Sequence, residues 1–256
     1  MGADGERLEM GGWAIEIRMD GVTQWFPPDQ WVLDEISLHA SEGQPILIRG
    51  EAGCGKTLLL KVLCGKWLPN EGSVTVDGQD WRTMSELKRG RLCRKLFGIV
   101  SPGRGFIDAL TLEENLLLLL DFAGGGRMAG KRRVREQAEK LGISALLGRY
   151  PEQLLPGELC LAQIFRALLF SPRFLLVDGL SPELSGEECR EVWKRLAALE
   201  QQGDVTCIRT AGLREACRPG ETCFLLRNGR LHPQNVLSLE AGTGNGRLAG
   251  EKRAFQ

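Results

Sequence analysis

Apolar and polar residues alternate with a period of two along much of the N-terminal third of the chain. Such alternation is typical of strands that are buried on one face. It runs through residues 13–19, 32–39 and 73–78, and a shorter stretch, residues 21–28, ends in two aromatic residues and two prolines. The pattern therefore predicts a β-rich region at the start of the chain.

Other short apolar runs lack this alternation, as is typical of strands buried on both faces of a parallel sheet. They include residues 46–48, 97–100 and 174–177, and residues 204–209 predict another strand. Residues 223–231 predict a hairpin, because an Asn-Gly pair separates two apolar segments.

Apolar residues recur with helical spacing between these strands. Strands that alternate with helices after an early β-rich stretch predict an α/β fold with a parallel central sheet. The predicted helices cover residues 56–65, 85–95, 112–121, 131–142, 158–170 and 186–200, with a short helix near residues 212–217.

The composition of the chain argues against several classes of protein. The 33 basic and 33 acidic residues balance, so no nucleic-acid partner and no anionic-lipid surface is indicated. The eight cysteines are scattered and form no Cys-x-x-Cys pair, which argues against zinc and against a secreted disulfide framework. The longest purely apolar run, residues 116–120, is too short to span a bilayer. We therefore expect a cytoplasmic protein that reaches a membrane only through a partner.

The strand at residues 46–48 is followed by a match to G-x-x-x-x-G-K-[ST], the phosphate-binding P-loop. Glycines allow a tight turn that directs successive N–H groups at phosphate oxygens, and the next helix adds its positive N-terminal end. The lysine would reach the β- and γ-phosphates, and the threonine hydroxyl would bind Mg²⁺. The predicted nucleotide-binding residues here are Gly50, Glu51, Ala52, Gly53, Cys54, Gly55, Lys56, Thr57 and Leu58.

A single carboxylate, Asp178, ends the apolar run at residues 174–177. Ligand-contacting residues of a doubly wound sheet lie at the carboxyl ends of its strands. Asp178 is therefore predicted to bind Mg²⁺ together with Thr57. A helix cap or turn residue is the alternative interpretation of this carboxylate.

With these residues in place, the order of elements resembles the nucleotide-binding subunit of an ABC transporter. The resemblance covers about residues 13–235 and implies a P-loop NTPase (RecA-like) core, an N-terminal antiparallel β subdomain and an inserted helical subdomain at about 103–172. Residues 1–12 and 237–256 are then flexible termini. The matching segments are residues 32–38, 50–57, 71–78, 110–115, 165–168 and 226–230.

The resemblance also implies ligands and partners. ATP and Mg²⁺ would be the cofactors, and Phe26, with Trp25 as its neighbour, would stack on adenine. A membrane-spanning permease subunit and a second nucleotide-binding subunit would be the protein partners, since the family works as a head-to-tail dimer.

Five positions, in four motifs, depart from the family pattern. Pro102 replaces the glutamine that helps to hold Mg²⁺ and the attacking water, and Gly179 replaces the glutamate that polarises this water. Ala211, after Thr210, replaces the histidine that reaches the γ-phosphate. The signature Leu-Ser-Gly-Gly-Gln/Glu presses a hydroxyl and N–H groups onto the γ-phosphate held by the opposite protomer, and here it contains Leu155 and Pro156, which lack the hydroxyl and one N–H.

These departures are expected to weaken or abolish hydrolysis while binding is kept. Loss of one positioned base typically costs about 10²–10⁴ in rate, and here several catalytic groups are absent together. The interpretation is a pseudo-ATPase in which ATP binding is structural or regulatory. A homodimer would have two defective sites, so a heterodimer is favoured.

Three alternatives remain open at this point. The first is an active transporter ATPase with unorthodox catalysis, and the second is a soluble ABC-type protein outside transport. The third is a small-molecule kinase, which would need a substrate lid where the chain instead resembles the ABC helical subdomain.

Overall fold

The computed structural model describes residues 14–28, 30–101, 103, 105–123, 127–180 and 184–234. Both segments predicted to be flexible termini, residues 1–12 and 237–256, lie outside the described residues, and so does Pro102. The described strands are β1 Glu16–Phe26, β2 Gln30–Ser41, β3 Ile46–Arg49, β4 Glu71–Val76, β5 Gln79–Asp80, β6 Phe97–Val100, β7 Phe174–Asp178, β8 Thr206–Ala211, β9 Thr222–Arg227 and β10 Arg230–Gln234.

The early β-rich region forms a four-stranded antiparallel sheet in the order β2-β1-β4-β5. The two strands predicted from residues 13–19 and 21–28 are one strand, β1. Its pairing shifts register between Met19 and Val22, because a β-bulge inserts extra residues without ending the strand. The N-terminal antiparallel sheet is thus confirmed, with two predicted strands joined into one and a short strand, β5, that was not predicted.

The second sheet has six strands in the order β10-β9-β3-β8-β7-β6. Neighbours from β9 to β6 are parallel, and only the β9–β10 hairpin is antiparallel. This arrangement confirms the predicted α/β fold with a parallel central sheet. It also brings the carboxyl ends of β3, β7 and β8 together at one edge.

The helices follow the predicted pattern within a few residues at each end. Thr111 and Glu114 form a capping box at the start of the third helix, which explains why this helix begins where it does. The described helices of six or more residues are α1 Lys56–Leu63, α2 Glu86–Leu96, α3 Leu112–Phe122, α4 Arg127–Leu141, α5 Pro156–Leu168 and α6 Gly186–Gln201.

Successive residues of β7 pack alternately into two different hydrophobic clusters, one on each face of the strand. Phe174 and Leu176 pack in a cluster with α1, α2 and the antiparallel sheet. Leu175 and Val177 pack in a second cluster with α3, α4, α5 and α6. Because both faces of β7 are buried, its continuous apolar sequence is explained, and Asp178 is held at a fixed place between the two layers.

The helix predicted near residues 212–217 is wrong, because this segment forms a turn without helical hydrogen bonding. Two of its main-chain carbonyl groups accept hydrogen bonds from arginine side chains instead. Arg49 donates to the Glu215 carbonyl oxygen, and Arg209 donates to the Ala216 carbonyl oxygen. The structure also joins Cys217 to Cys223 in a disulfide, a pair that the scattered cysteines did not predict.

Candidate nucleotide-binding site

The P-loop joins β3 to α1 in the conformation that phosphate binding requires. Gly53 and Gly55 have positive φ angles of 77° and 103°, a region that strongly favours glycine. At Gly50 a Cβ atom would lie 2.5 Å from Cys54 Sγ and 2.7 Å from the Leu226 carbonyl oxygen. All three glycines of this loop are therefore required by conformation or by close approach.

The Lys56 ammonium group lies across the same loop. It donates to the carbonyl oxygens of Gly50 at 2.8 Å and Glu51 at 2.6 Å, and its Nζ is 3.8 Å from Cys54 Sγ. Lys56 is also the first residue of α1, so its charge lies beside the positive end of that helix. The loop thus concentrates positive charge and N–H donors in one place.

Asp178 joins the P-loop to the ends of two neighbouring strands. Thr57 Oγ1 donates to Asp178 Oδ2 at 2.6 Å, and Thr210 Oγ1 donates to Asp178 Oδ1 at 3.0 Å. Asp178 and Thr210 are paired residues of β7 and β8. The predicted pairing of Thr57 with Asp178 is therefore present in the structure, and Thr210 is a third member that the sequence did not place beside them.

These groups fit a nucleotide phosphate with Mg²⁺. A hydroxyl and a carboxylate in contact are hard oxygen ligands, and Mg²⁺ usually takes one or two such protein ligands with phosphate and water in the remaining positions. Among the described residues there is no cluster of three or more His, Cys, Asp or Glu side chains that could hold a metal alone.

The aromatic residues predicted near the nucleobase form two pairs. The Phe26 ring contacts Trp67 edge-on with centroids 5.7 Å apart, and Trp25 lies 5.2 Å from Trp31. Trp31 and Trp67 are 59% and 45% exposed, which leaves apolar ring surface open at this end of the antiparallel sheet. Stacking of Phe26 on adenine stays a prediction.

Two of the positions that depart from the family pattern, Gly179 and Ala211, follow Asp178 and Thr210 directly in the chain. Gly179 follows β7 with a φ of 73°, and its Cα faces open space. The Ala211 carbonyl oxygen accepts a hydrogen bond from Gly50 N–H, so Ala211 lies against the start of the P-loop. No imidazole and no carboxylate is supplied by these two positions.

The residues that replace the signature begin α5. Leu155 is the N-cap residue and is 64% exposed, and Pro156 is the first helical residue. Proline fits this first position because its missing N–H would have no partner within the helix. The chain therefore keeps the helix start but not the full set of donors.

A buried ion pair lies behind the site on β8. Arg209 donates to Glu221 at 2.6 and 2.8 Å, and both side chains are essentially inaccessible to solvent. The Arg209 guanidinium also lies 4.7 Å from the Trp193 ring centroid. Burial alone would raise the pKa of Glu221, but hydrogen bonds from Arg209 and from the Arg218 N–H hold that pKa below its usual value.

Comparison with known proteins agrees with this geometry. The family model described as ABC transporter matches residues 33–180, more than half of the chain. A dimeric bacterial ABC transporter cassette has a TM-score of 0.76 at 23% identity over 86% of this chain and 98% of its own. A Clostridium perfringens subunit of an ABC transporter complex has a TM-score of 0.79 at 18% identity over 88% of this chain and 90% of its own.

Curated relatives are similar in sequence over most of this chain. The sulfate/thiosulfate import ATP-binding protein of Gloeobacter violaceus is 30% identical over 85% of the chain. The chain spans 61% of that relative's length, and 59% and 60% of two import ATP-binding proteins for methionine and for iron(III). No helix among the described residues is long and apolar enough to cross a membrane.

Proposed function

The chain belongs to the ABC transporter ATP-binding family, and from this we propose that it binds MgATP but hydrolyses it weakly or not at all. The phosphate-binding residues are complete, whereas the residues that would activate water are replaced. ATP binding would then act as a structural or regulatory signal within a transporter complex.

The observation that carries this proposal is the contrast around Asp178. On one side of this carboxylate the Thr57 and Thr210 hydroxyls are hydrogen-bonded at 2.6 and 3.0 Å, which supports metal and phosphate binding. On the other side the next residue, Gly179, has no side chain and a left-handed backbone. A carboxylate at this position would need a different local conformation.

Each binding residue has a role that its geometry supports. The N–H groups of the loop around Gly53 and Gly55 would donate to phosphate oxygens, and Lys56 would exchange its bonds to the Gly50 and Glu51 carbonyls for bonds to the β- and γ-phosphates. Thr57 and Asp178 would hold Mg²⁺, which when bound neutralises phosphate charge. In this proposal Asp178 is a metal ligand, and neither Gly179 nor Ala211 supplies a side chain that could take a proton from water.

The proposed partners are a membrane-spanning permease subunit and a second nucleotide-binding subunit, with a heterodimer favoured. The matched relatives that are named as import ATP-binding proteins support a transport role. The fold neighbours described as a dimeric cassette and as part of a transporter complex support assembly. The proposed place is the cytoplasmic face of a membrane, reached through the permease.

Equilibrium titration of the purified chain with MgATP tests the binding half of the proposal. We expect saturable binding that Lys56→Ala weakens by about tenfold or more, because a charge-assisted contact to phosphate contributes about 1.5–3 kcal/mol. Lys140→Ala is the matched control, since it removes a lysine that contacts Asp204 away from the loop. Equal binding by the wild-type chain and Lys56→Ala would contradict a P-loop site.

A further inference from the structure

The start of α5 has unusual partners for its N–H groups. The first N–H groups of a helix have no acceptor within the helix, and together with the helix dipole they attract anions. Here the Leu155 N–H donates to Glu158 Oε2 at 3.0 Å, and Pro156 has no N–H. The Gly157 N–H donates to Glu188 Oε1 at 3.0 Å, although Glu188 belongs to another helix.

Glu188 is held in this position by its own helix. The Ser185 N–H donates to Glu188 Oε2 at 2.9 Å, and the Glu188 N–H donates to Ser185 Oγ at 3.2 Å, which is a capping box at the start of α6. One carboxylate oxygen therefore binds α6 and the other binds α5. Hydrogen bonds from Ser185 and Gly157 keep the pKa of Glu188 below its usual value.

A second carboxylate, that of Glu158, also lies at the start of α5. Glu158 binds the Leu155 N–H and also pairs with Arg149 at 3.1 and 3.2 Å. A Cβ atom at Gly157 would lie 2.9 Å from Glu188 Oε1, so the two helices are already in close contact here. The N–H groups of residues 155 and 157 are thus both bonded to carboxylates of the same chain.

We propose that Glu188 is an internal anion that occupies the N-terminus of α5 and excludes phosphate from it. The carboxylate takes the place that a phosphate oxygen would need, and its charge repels an approaching phosphate. Resting on the proposed function, this chain would not donate the Gly157 N–H to a nucleotide held by a second subunit.

The amide signal of Gly157 in the ¹⁵N-labelled chain tests this directly, with inorganic pyrophosphate as the probe. In the wild-type chain pyrophosphate should shift the P-loop amides and leave Gly157 unchanged. In Glu188→Ala it should also shift Gly157 in a saturable titration, at concentrations at least about tenfold below those at which any wild-type response appears. Glu187→Ala is the matched control, because it removes a neighbouring carboxylate and should leave Gly157 silent.

Two further variants make the result decisive. In the Lys56→Ala background the Gly157 response should persist, which excludes an effect relayed from the P-loop. Glu188→Gln keeps the shape of the side chain and serves if the alanine variant does not fold. A Gly157 shift in the wild-type chain, or silence in both Glu188→Ala and Glu188→Ala/Glu158→Gln, would overturn the inference. Failure of MgATP to shift the P-loop amides would contradict the proposed function instead.

Discussion

The Thr57 hydroxyl donates a 2.6 Å hydrogen bond to Asp178, a residue 121 positions later in the chain. Thr57 lies on the first turn of α1, and Asp178 is the last residue of β7. The bond joins the phosphate-binding loop, which follows β3, to the end of β7, and β8 lies between these two strands in the sheet. The proposed metal site would therefore be preorganised by the fold of the central sheet.

Replacing Asp178 by asparagine should affect nucleotide binding only when the metal is present. We expect Asp178→Asn to lose about tenfold or more in MgATP affinity, because a charged metal ligand is replaced by a neutral one. The affinity for ATP in EDTA should stay equal or improve, since a negative charge near the phosphates is removed. Titration calorimetry with and without Mg²⁺ measures both values.

Asp204→Asn is the control for this experiment. It neutralises a carboxylate that pairs with Lys140 on the surface, away from the P-loop. Equal losses for Asp178→Asn with Mg²⁺ and with EDTA would show that Asp178 does not act through the metal.

Glutamate introduced at position 179 should not restore hydrolysis. Gly179 has a φ of 73°, where a residue with a side chain costs about 1–2 kcal/mol, so the new carboxylate would either destabilise the loop or point elsewhere. We expect Gly179→Glu to lower the free energy of unfolding by about this amount and to show no added turnover.

Gly179→Ala separates the two effects, because it carries the same backbone cost without a carboxylate. Similar urea unfolding curves for both variants, with background phosphate release, would agree with the account. Turnover in Gly179→Glu that disappears when Lys56→Ala is added would contradict it.

The buried pair of Arg209 and Glu221 should be strongly coupled. Arg209→Met removes one of the two guanidinium groups that bind the buried Glu221 carboxylate, the other being that of Arg218. We expect a loss of about 3–5 kcal/mol in the free energy of unfolding. The double variant Arg209→Met/Glu221→Leu should recover most of this loss, since two apolar side chains can fill the same space. Chemical unfolding of the four chains in the cycle gives the coupling energy.

The same variants should also differ in how their free energy of unfolding depends on pH. Because the pKa of Glu221 in the folded chain is lowered, its contribution to stability is present above the ordinary glutamate pKa and is lost as the pH falls through the folded value. The wild-type chain should therefore lose more stability on acidification than the double variant. Parallel pH dependences, or additive single-variant losses, would show that the pair is not coupled.

Cys54 offers a chemical reporter of the P-loop. It is half-buried in the loop, with its Sγ 3.8 Å from Lys56 Nζ, so a bound phosphate should cover it. N-ethylmaleimide should label Cys54, and MgATP at ten times its dissociation constant should slow labelling by about tenfold. Site-resolved mass spectrometry distinguishes Cys54 from the other cysteines.

Protection of Cys54 should disappear in Lys56→Ala at the same MgATP concentration. The buried thiols of Cys64 and Cys207 should react slowly in every sample and serve as internal controls. Protection that survives in Lys56→Ala would mean that ATP shields Cys54 from somewhere other than the P-loop.

The sequence predicted the parts of the site that depend on short-range patterns. The P-loop is a contiguous motif, and Asp178 ends an apolar strand, so both could be recognised without knowing which elements are neighbours. The bond from Thr210 to Asp178 depends on the pairing of β7 with β8, which strand patterns alone do not specify. The sequence singles out Thr210 only as the residue before Ala211, which replaces the histidine.

Features that depend on tertiary contact were missed for the same reason. In the sequence Glu188 is a typical residue for the first turn of a helix. Its contact with Gly157, 31 residues earlier in the chain, joins α6 to α5. Arg209 was a possible signal, because a charge interrupts an otherwise apolar strand. The buried Arg209 guanidinium needs hydrogen-bond acceptors, and the Ala216 carbonyl oxygen is one of them. Residues 212–217 form a turn that provides this acceptor, and the periodicity of the sequence does not reveal such a contact.

A single-turnover measurement tests whether this chain binds ATP without hydrolysing it. Protein in excess over γ-labelled ATP and Mg²⁺ is followed for release of phosphate, with Lys56→Ala as the matched control. We predict saturated binding in the wild-type chain and a rate of phosphate release equal to that of Lys56→Ala. Phosphate release that requires Lys56 would contradict the claim and establish an active ATPase.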